Sequence, residues 1–338
     1  MYKISLITGD GIGPELSESV IEVLNAVNDK FGVKLDITKL QAGDTALKKT
    51  GKALPDETLD AIKKSDACLK APVGESAADV IVVLRRMLDL YANIRPAKSY
   101  PNMPALKQNI DMIIVRENTE DLYTGMEFDL GETSVALRTI SKRASERIAK
   151  YAFMTAEQRN GKKKVTCVHK SNVMKKTDGL FSRSCQEVAN NYPKISFEQM
   201  YVDACAMNLI RQPEDFDVIV TTNLFGDILS DEASQVVGGL GMAPAANIGD
   251  KFALFEPVHG AAFDIAGKQV ANPSSFILSA KMMFEWLGMK NNDKACYDIA
   301  KKIEDAVYGI VKEGIKTKDI GGNKSTVEFT QSVISKIT

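Results

Sequence analysis

Strand-length apolar runs that alternate with helix-period segments predict an α/β fold for this chain of 338 residues. Two more observations sharpen that expectation. A glycine-rich turn follows the first strand yet lacks the spacing of a dinucleotide fingerprint. Several strands also end in polar and ionisable side chains, the pattern of one cleft lined from several strand ends.

The elements follow in order. Residues 2–8 form a short, largely apolar strand, and residues 14–31 an amphipathic helix with Pro14 near its start, where a missing N–H costs nothing. Residues 66–69 read as a strand and 77–91 as a helix. Further strands are expected at 110–115, 164–169, 217–221 and 251–255, and helices at 143–160, 178–190, 274–287 and 294–313. The run Lys162-Lys163-Lys164 after Asn160-Gly161 reads as a solvated turn. No internal repeat or low-complexity segment is visible.

Composition narrows the function. Lys+Arg of 43 against Asp+Glu of 44 leaves no general electrostatic case for nucleic acid. The longest apolar runs are strand-sized, so no membrane span is expected. Met1 leads directly into a strand rather than into a signal peptide. Five cysteines, an odd number without C-x-x-C spacing, point to reduced, packed thiols and a cytoplasmic setting.

The most informative stretch is Phe216-Asp217-Val218-Ile219-Val220-Thr221-Thr222-Asn223-Leu224-Phe225-Gly226-Asp227-Ile228-Leu229-Ser230-Asp231. It reads as a strand, a turn closed by Gly226, and a helix opening at Asp227. Asp227 and Asp231 then project from one helix face beyond a strand's carboxyl end. With no lysine or arginine early in that helix they would repel unless a cation lay between them, and hard oxygen ligands suit Mg²⁺ or Mn²⁺. The plainer alternative has Asp227 capping the helix and Asp231 solvated.

Four strand ends carry the remaining chemistry. Val115 precedes Arg116-Glu117-Asn118, Val168 precedes His169-Lys170, Thr222 precedes Asn223, and Phe255 precedes Glu256-Pro257-Val258-His259-Gly260. The loop Gly9-Asp10-Gly11-Ile12-Gly13-Pro14 is G-x-G-x-G rather than G-x-G-x-x-G, which argues against an ordinary Rossmann domain. The loop 259–267 combines small residues with Asp264, whose carboxylate would accept hydrogen bonds from a ribose diol and repel a 2′-phosphate, favouring NAD over NADP. Arg85, Arg95 and Arg116 offer planar guanidinium groups suited to carboxylates, although a lone helix arginine is ordinarily solvated. Pro96 is expected to end the helical segment behind Arg95. Tyr123 and Lys170 are acid/base candidates that need a nearby cation or desolvation to work at neutral pH.

Taken together these stretches resemble the β-decarboxylating dehydrogenases, the isocitrate and 3-isopropylmalate dehydrogenase family. The resemblance runs from Gly9 to Asp319-Ile320-Gly321-Gly322-Asn323 and is most specific over 223–231, 116–123 and 256–260. It implies a two-domain α/β fold with a large mixed sheet rather than a Rossmann fold. Residues 1–92 and 238–338 would bind the cofactor; residues 93–237 would carry substrate, metal and dimer contacts. It also implies a homodimer with shared active sites, either alone or paired into a tetramer. Arg85, Arg95 and Arg116 would clamp substrate carboxylates, Tyr123 would donate a proton, and Lys170 of the partner subunit would act as base. Asp227 and Asp231 would bind Mg²⁺ or Mn²⁺ with Asp203 of the partner subunit, which would also contact substrate. His259, Gly260, Ala261, Asp264, Ile265 and Asn272 would hold the adenosine of NAD.

Substrate choice should lie on the helix before Arg85. Family members acting on isocitrate place a serine and an asparagine where this chain has Asp79 and Ile81. Asp79 would repel a third carboxylate, whereas Ile81 and Val82 form an apolar wall. Burying about three carbons there is worth roughly 2 kcal/mol. The expectation is oxidative decarboxylation of 3-isopropylmalate to 4-methyl-2-oxopentanoate and CO₂, as in leucine biosynthesis. Homoisocitrate and D-malate-type substrates remain alternatives. So do a non-catalytic regulatory subunit of a hetero-oligomeric isocitrate dehydrogenase and a Mg²⁺-dependent hydrolase. Ala78 stands where relatives acting on isopropylmalate carry a glutamate, and Glu75 is the candidate replacement.

Overall fold

Strand β1 (Tyr2–Ile7) buries Ile4, Leu6 and Ile7 because it runs parallel between β2 (Leu35–Leu40) and β3 (Ala67–Lys70). These coordinates are a computed structural model that describes residues 1–159 and 161–338. The chain divides into two units. One comprises Met1–Leu88, Tyr100–Ala105 and Gly238–Thr338, the other Asp89–Ser99 and Leu106–Val237.

In the first unit the strand order is β2-β1-β3-β12-β11. Here β12 (Ala253–Pro257) runs parallel to β3, and β11 (Pro244–Ile248) antiparallel to β12. Helix α1 (Gly13–Phe31) buries Leu16, Val20, Val23, Leu24 and Val27, a single stripe at helical spacing. It is followed by α2 (Asp44–Thr50), α3 (Asp56–Lys63) and α4 (Ala77–Met87). Helix α9 (Ser274–Asn291) is apolar nearly all round and accordingly buried, with α10 (Lys294–Lys312) packed on it and α11 (Thr326–Ile337) packed on α1 and α10. Ser325 and Glu328 close a capping box at the start of α11.

The second unit orders its strands β4-β5-β10-β8-β9. They are β4 (Ala92–Lys98), β5 (Asp111–Glu117), β10 (Val218–Thr221), β8 (Lys164–His169) and β9 (Ser196–Tyr201). A separate hairpin joins β6 (Glu127–Leu130) and β7 (Thr133–Ala136). Helices α5 (Lys142–Gln158), α6 (Thr177–Ala189), α7 (Val202–Arg211) and α8 (Asn223–Val237) complete it. Ile114, Val168, Ile219, Leu229 and Ala233 share its apolar core. Strands β5, β10 and β8 are parallel, with Arg116 opposite Thr221 and Thr221 opposite Val168. Their polar carboxyl ends therefore emerge along one sheet edge, where an α/β sheet holds its ligands.

The α/β class with mixed sheets is borne out, and five strands fall in each unit's part of the sheet order. Two local expectations are corrected. Helix α8 begins at Asn223, so Gly226 lies inside it and Asp227 in its second turn rather than at its cap. Helix α4 stops at Met87 and Asp89 takes a φ of 46°, so Arg95 and Pro96 sit on strand β4 and not at a helix end. Asn160, the expected last residue of α5, lies outside the described residues. All five cysteines are free and buried, and no helix among the described residues is long and apolar enough to cross a membrane.

Candidate active site

Strands β4 and β5 aim two arginines at one helix. Arg116 donates from Nε and Nη2 to Asn223 Oδ1, at 3.0 and 2.7 Å, and from Nη1 to Asp227. Arg95 reaches the same face: Nη1 to Ser230 Oγ at 2.6 Å and to Asp231 Oδ1 at 3.3 Å, and Nη2 to Asp227 Oδ1 at 3.3 Å. The Tyr123 hydroxyl donates to Asp227 Oδ2, and the Arg116 guanidinium lies over the Tyr123 ring at 5.0 Å from its centroid. Arg95 and Arg116 are 8% and 1% exposed, which sets aside the solvated-arginine alternative for both.

Gly226 makes this possible. A Cβ there would stand 2.4 Å from Arg116 Cγ, so only glycine lets the guanidinium lie across the first turns of α8. The aspartates thus have cationic partners after all, supplied by strands far away in sequence. Burial pushes the Asp231 carboxyl up, Arg95 opposes that shift, and the neighbouring Asp227 carboxylate adds to it. Burial likewise raises the Tyr123 hydroxyl, with Arg116 opposing and the bond to Asp227 reinforcing.

Lys170 and Asp203 form a second cluster. Lys170 Nζ donates to Asp203 Oδ1 at 2.6 Å, and that bond holds the Asp203 carboxyl below its ordinary range. Among the described residues no three ligating side chains converge within the chain, so Asp203 does not join Asp227 and Asp231. Asp227 and Asp231 fit a hard divalent cation by donor chemistry and by sharing one helix face, but two carboxylates leave its coordination incomplete.

Sequence reasoning missed Arg138. It bonds Asp121, Asp178 and Thr222 from the segment between β7 and α5, which carries no recognisable motif.

In the first unit, Arg85 donates from Nε to Asn247 Oδ1 at 2.9 Å and from Nη2 to Glu256 Oε1 at 3.3 Å. Lys70, also unforeseen, donates to Glu256 Oε2 at 2.8 Å. Burial alone would raise the Glu256 carboxyl, but Lys70 and Arg85 outweigh it and lower it from 4.5 to about 2. A depressed folded-state value stabilises the fold fully above the unfolded value and loses that contribution as pH falls toward 2. Glu256→Gln should therefore lose on the order of 3 kcal/mol at neutral pH, by leaving two buried cations underpaired. Its stability should also change less than the unmodified protein's on acidification below about pH 4. Thermal melts across that range check this; parallel acid limbs would remove Glu256 from the acid response.

A pocket of about 240 Å³ is lined by Ile12, Gly241, His259, Ile265, Asn272 and Asp319, among others. Gly11 brings the first loop against this wall: its φ is +57°, and a Cβ there would stand 2.0 Å from the Ala261 carbonyl oxygen. Asn272 Nδ2 donates to Asp319 Oδ2 at 3.0 Å, and Thr317 Oγ1 to Asp319 Oδ1 at 2.5 Å. Gly260 also lines the pocket. The Ala261 carbonyl accepts from Ile12 N at 2.8 Å, and Asp264 is exposed on the loop beside the pocket rather than in its lining. An apolar wall with a few fixed polar groups suits a nucleoside. On α4, Ile81 and Val82 are half-buried and Asp79 is exposed.

Residues 3–335 match the model of the isocitrate/isopropylmalate dehydrogenase family. The chain belongs to that family. It is 53% identical over 335 residues to a 3-isopropylmalate dehydrogenase of Archaeoglobus fulgidus, covering 99% of each chain. Over 342 residues it is 45% identical to an isocitrate/homoisocitrate dehydrogenase of Thermus thermophilus, covering 99% of this chain and 98% of that one. A crystal structure of isocitrate dehydrogenase from Methylococcus capsulatus superposes with a TM-score of 0.93 at 40% identity, covering 100% of this chain and 99% of that one. Family membership accounts for the failed dinucleotide fingerprint.

Proposed function

We propose that the chain oxidatively decarboxylates 3-isopropylmalate to 4-methyl-2-oxopentanoate and CO₂ with NAD and a divalent metal, the reaction used in leucine biosynthesis. One observation carries this reading most. Helix α4 presents half-buried Ile81 and Val82, with an acidic Asp79 where a third carboxylate would need a partner. The 53% identity to the relative named for 3-isopropylmalate supports the same choice.

Arg95 and Arg116, with Arg85, are assigned to the malate carboxylates, whose planar geometry suits forked guanidinium donors. Lys170 is assigned to take the substrate hydroxyl proton, and Tyr123 to return a proton to the carbon that CO₂ leaves. When bound, NAD would supply the hydride acceptor for C2, and Mg²⁺ or Mn²⁺ would supply electrophilic stabilisation of the developing oxyanion. Asp227 and Asp231 would hold the metal together with Asp203 of a second copy of the chain, which would add a third carboxylate where the described residues of one chain bring no three ligating groups together. His259, Gly260, Ala261, Asp264, Ile265 and Asn272 are assigned to the adenosine. Incubation with 3-isopropylmalate, NAD and Mg²⁺ should yield NADH and CO₂ in equal amounts; a regulatory subunit would yield neither.

Two variants test the assignments. Asp264→Lys with Ile265→Tyr should shift preference from NAD toward NADP, because a cation would replace the carboxylate that repels a 2′-phosphate. Comparable kcat/KM for both cofactors in the unmodified enzyme would remove that role from Asp264. Polar replacement of Ile81 or Val82 should lower kcat/KM for 3-isopropylmalate roughly five- to thirtyfold, the loss of about two methyl contacts. D-malate, which lacks the branch, should be nearly unaffected; equal losses on both would take α4 out of the specificity argument.

A further inference from the structure

We infer that Arg138 is a positioning residue that ties the segment bearing Tyr123 and the segment bearing Lys170 into one buried network. This rests on the roles proposed above for those two side chains.

Arg138 Nε and Nη2 donate to Asp121 Oδ1 and Oδ2 at 2.6 and 3.2 Å, a forked pair. Its Nη1 donates to Asp178, and Nη2 also reaches Thr222 Oγ1 at 2.8 Å. The guanidinium lies over the Phe225 ring at 4.9 Å from the centroid. Both carboxylates are fully buried.

Asp121 opens the 3₁₀ turn Asp121–Thr124 that carries Tyr123, with a φ of 72° that its surroundings must hold in place. Its Oδ1 accepts from Leu122 N at 2.9 Å and its Oδ2 from Leu224 N at 3.1 Å, in the first turn of the helix that bears Asp227 and Asp231. Asp178 Oδ2 accepts from the amide of Lys170 at 2.5 Å. One guanidinium therefore orients two carboxylates, each of which pins a backbone N–H beside a functional side chain. A buried triad of this kind is a weak source of stability compared with apolar packing of the same volume. Its bonds converge on the functional segments. If Tyr123 and Lys170 of one chain serve different clefts of a dimer, each Arg138 aligns a group in both.

Arg138→Lys keeps the cation, but a single ammonium cannot make the fork to Asp121 while also reaching Asp178 and Thr222. The variant should fold, with kcat on 3-isopropylmalate lowered roughly ten- to a hundredfold and KM changed less than about threefold. Hydrogen exchange should quicken together at residues 121–124 and 170–174 and stay unchanged in the first unit. Should Arg138→Lys not fold, Arg138→Gln with Asp178→Asn removes a cation and an anion together and carries the same expectations. Unchanged kcat in a folded variant, or quickening at one segment alone or across the whole chain, overturns the inference. So does failure of both variants to fold, which would make the network structural only. If the unmodified protein turns over no 3-substituted malate, the functional reading fails, and the exchange pattern alone still decides the network.

Discussion

Mixing inactive Lys170→Ala protein with inactive Tyr123→Phe protein should restore activity. Each single variant should lose roughly 10²- to 10⁴-fold in kcat, the usual worth of a positioned acid or base. Tyr123 lies in the cluster of Arg95, Arg116, Asp227 and Asp231, while Lys170 pairs with Asp203, and no three ligating groups join the two within the described chain. A shared site follows if Lys170 acts on the cleft of a second copy. In a hybrid dimer, one cleft then contains neither substitution and the other contains both. Random reassociation makes half the dimers hybrids, so recovery should approach about a quarter of the unmodified activity. Rapid exchange of differently tagged subunits must be demonstrated in the same mixture. No recovery despite that exchange would place all the acid/base groups of a cleft on one chain.

Stripping divalent metal with a chelator should abolish turnover, and Mn²⁺ or Mg²⁺ should restore it. Asp227 pairs with Arg95, Arg116 and Tyr123, so a metal would compete with those partners for the carboxylate. Asp231→Asn keeps the helix face but removes a charge from the donor set, and should weaken Mn²⁺ binding by roughly ten- to a hundredfold. Asp203→Asn should do the same if the partner supplies the third ligand. Titration of Mn²⁺ by electron paramagnetic resonance reads this without turnover. Unchanged affinity in Asp231→Asn would move the metal elsewhere.

Strand-length runs such as 164–169 and the amphipathic stripe of α1 were readable because they lie within one window and follow a period. Gly226 looks like a turn residue and so displaces the expected start of α8 from its actual position at Asn223. Its reason for being glycine is the Arg116 side chain, which no local window contains. In sequence, strand β4 looks like the tail of a helix, since the break at Asp89 rests on a backbone conformation that composition does not announce. Strand β2 escaped notice because its exposed edge positions leave little apolar pattern. Site residues followed the same division. Tyr123, Asp227 and Asp231 sit in dense motifs, whereas Arg138 and Lys70 acquire meaning only through partners 17 to 186 positions away.

The assignment of 3-isopropylmalate as substrate is tested by kcat/KM for 3-isopropylmalate, homoisocitrate, isocitrate and D-malate, measured side by side with NAD and saturating Mg²⁺. The apolar wall of Ile81 and Val82 predicts 3-isopropylmalate first, D-malate lower by roughly the thirtyfold that the isopropyl contacts are worth, and the tricarboxylates lower still. Homoisocitrate turned over as well as or better than 3-isopropylmalate would contradict it.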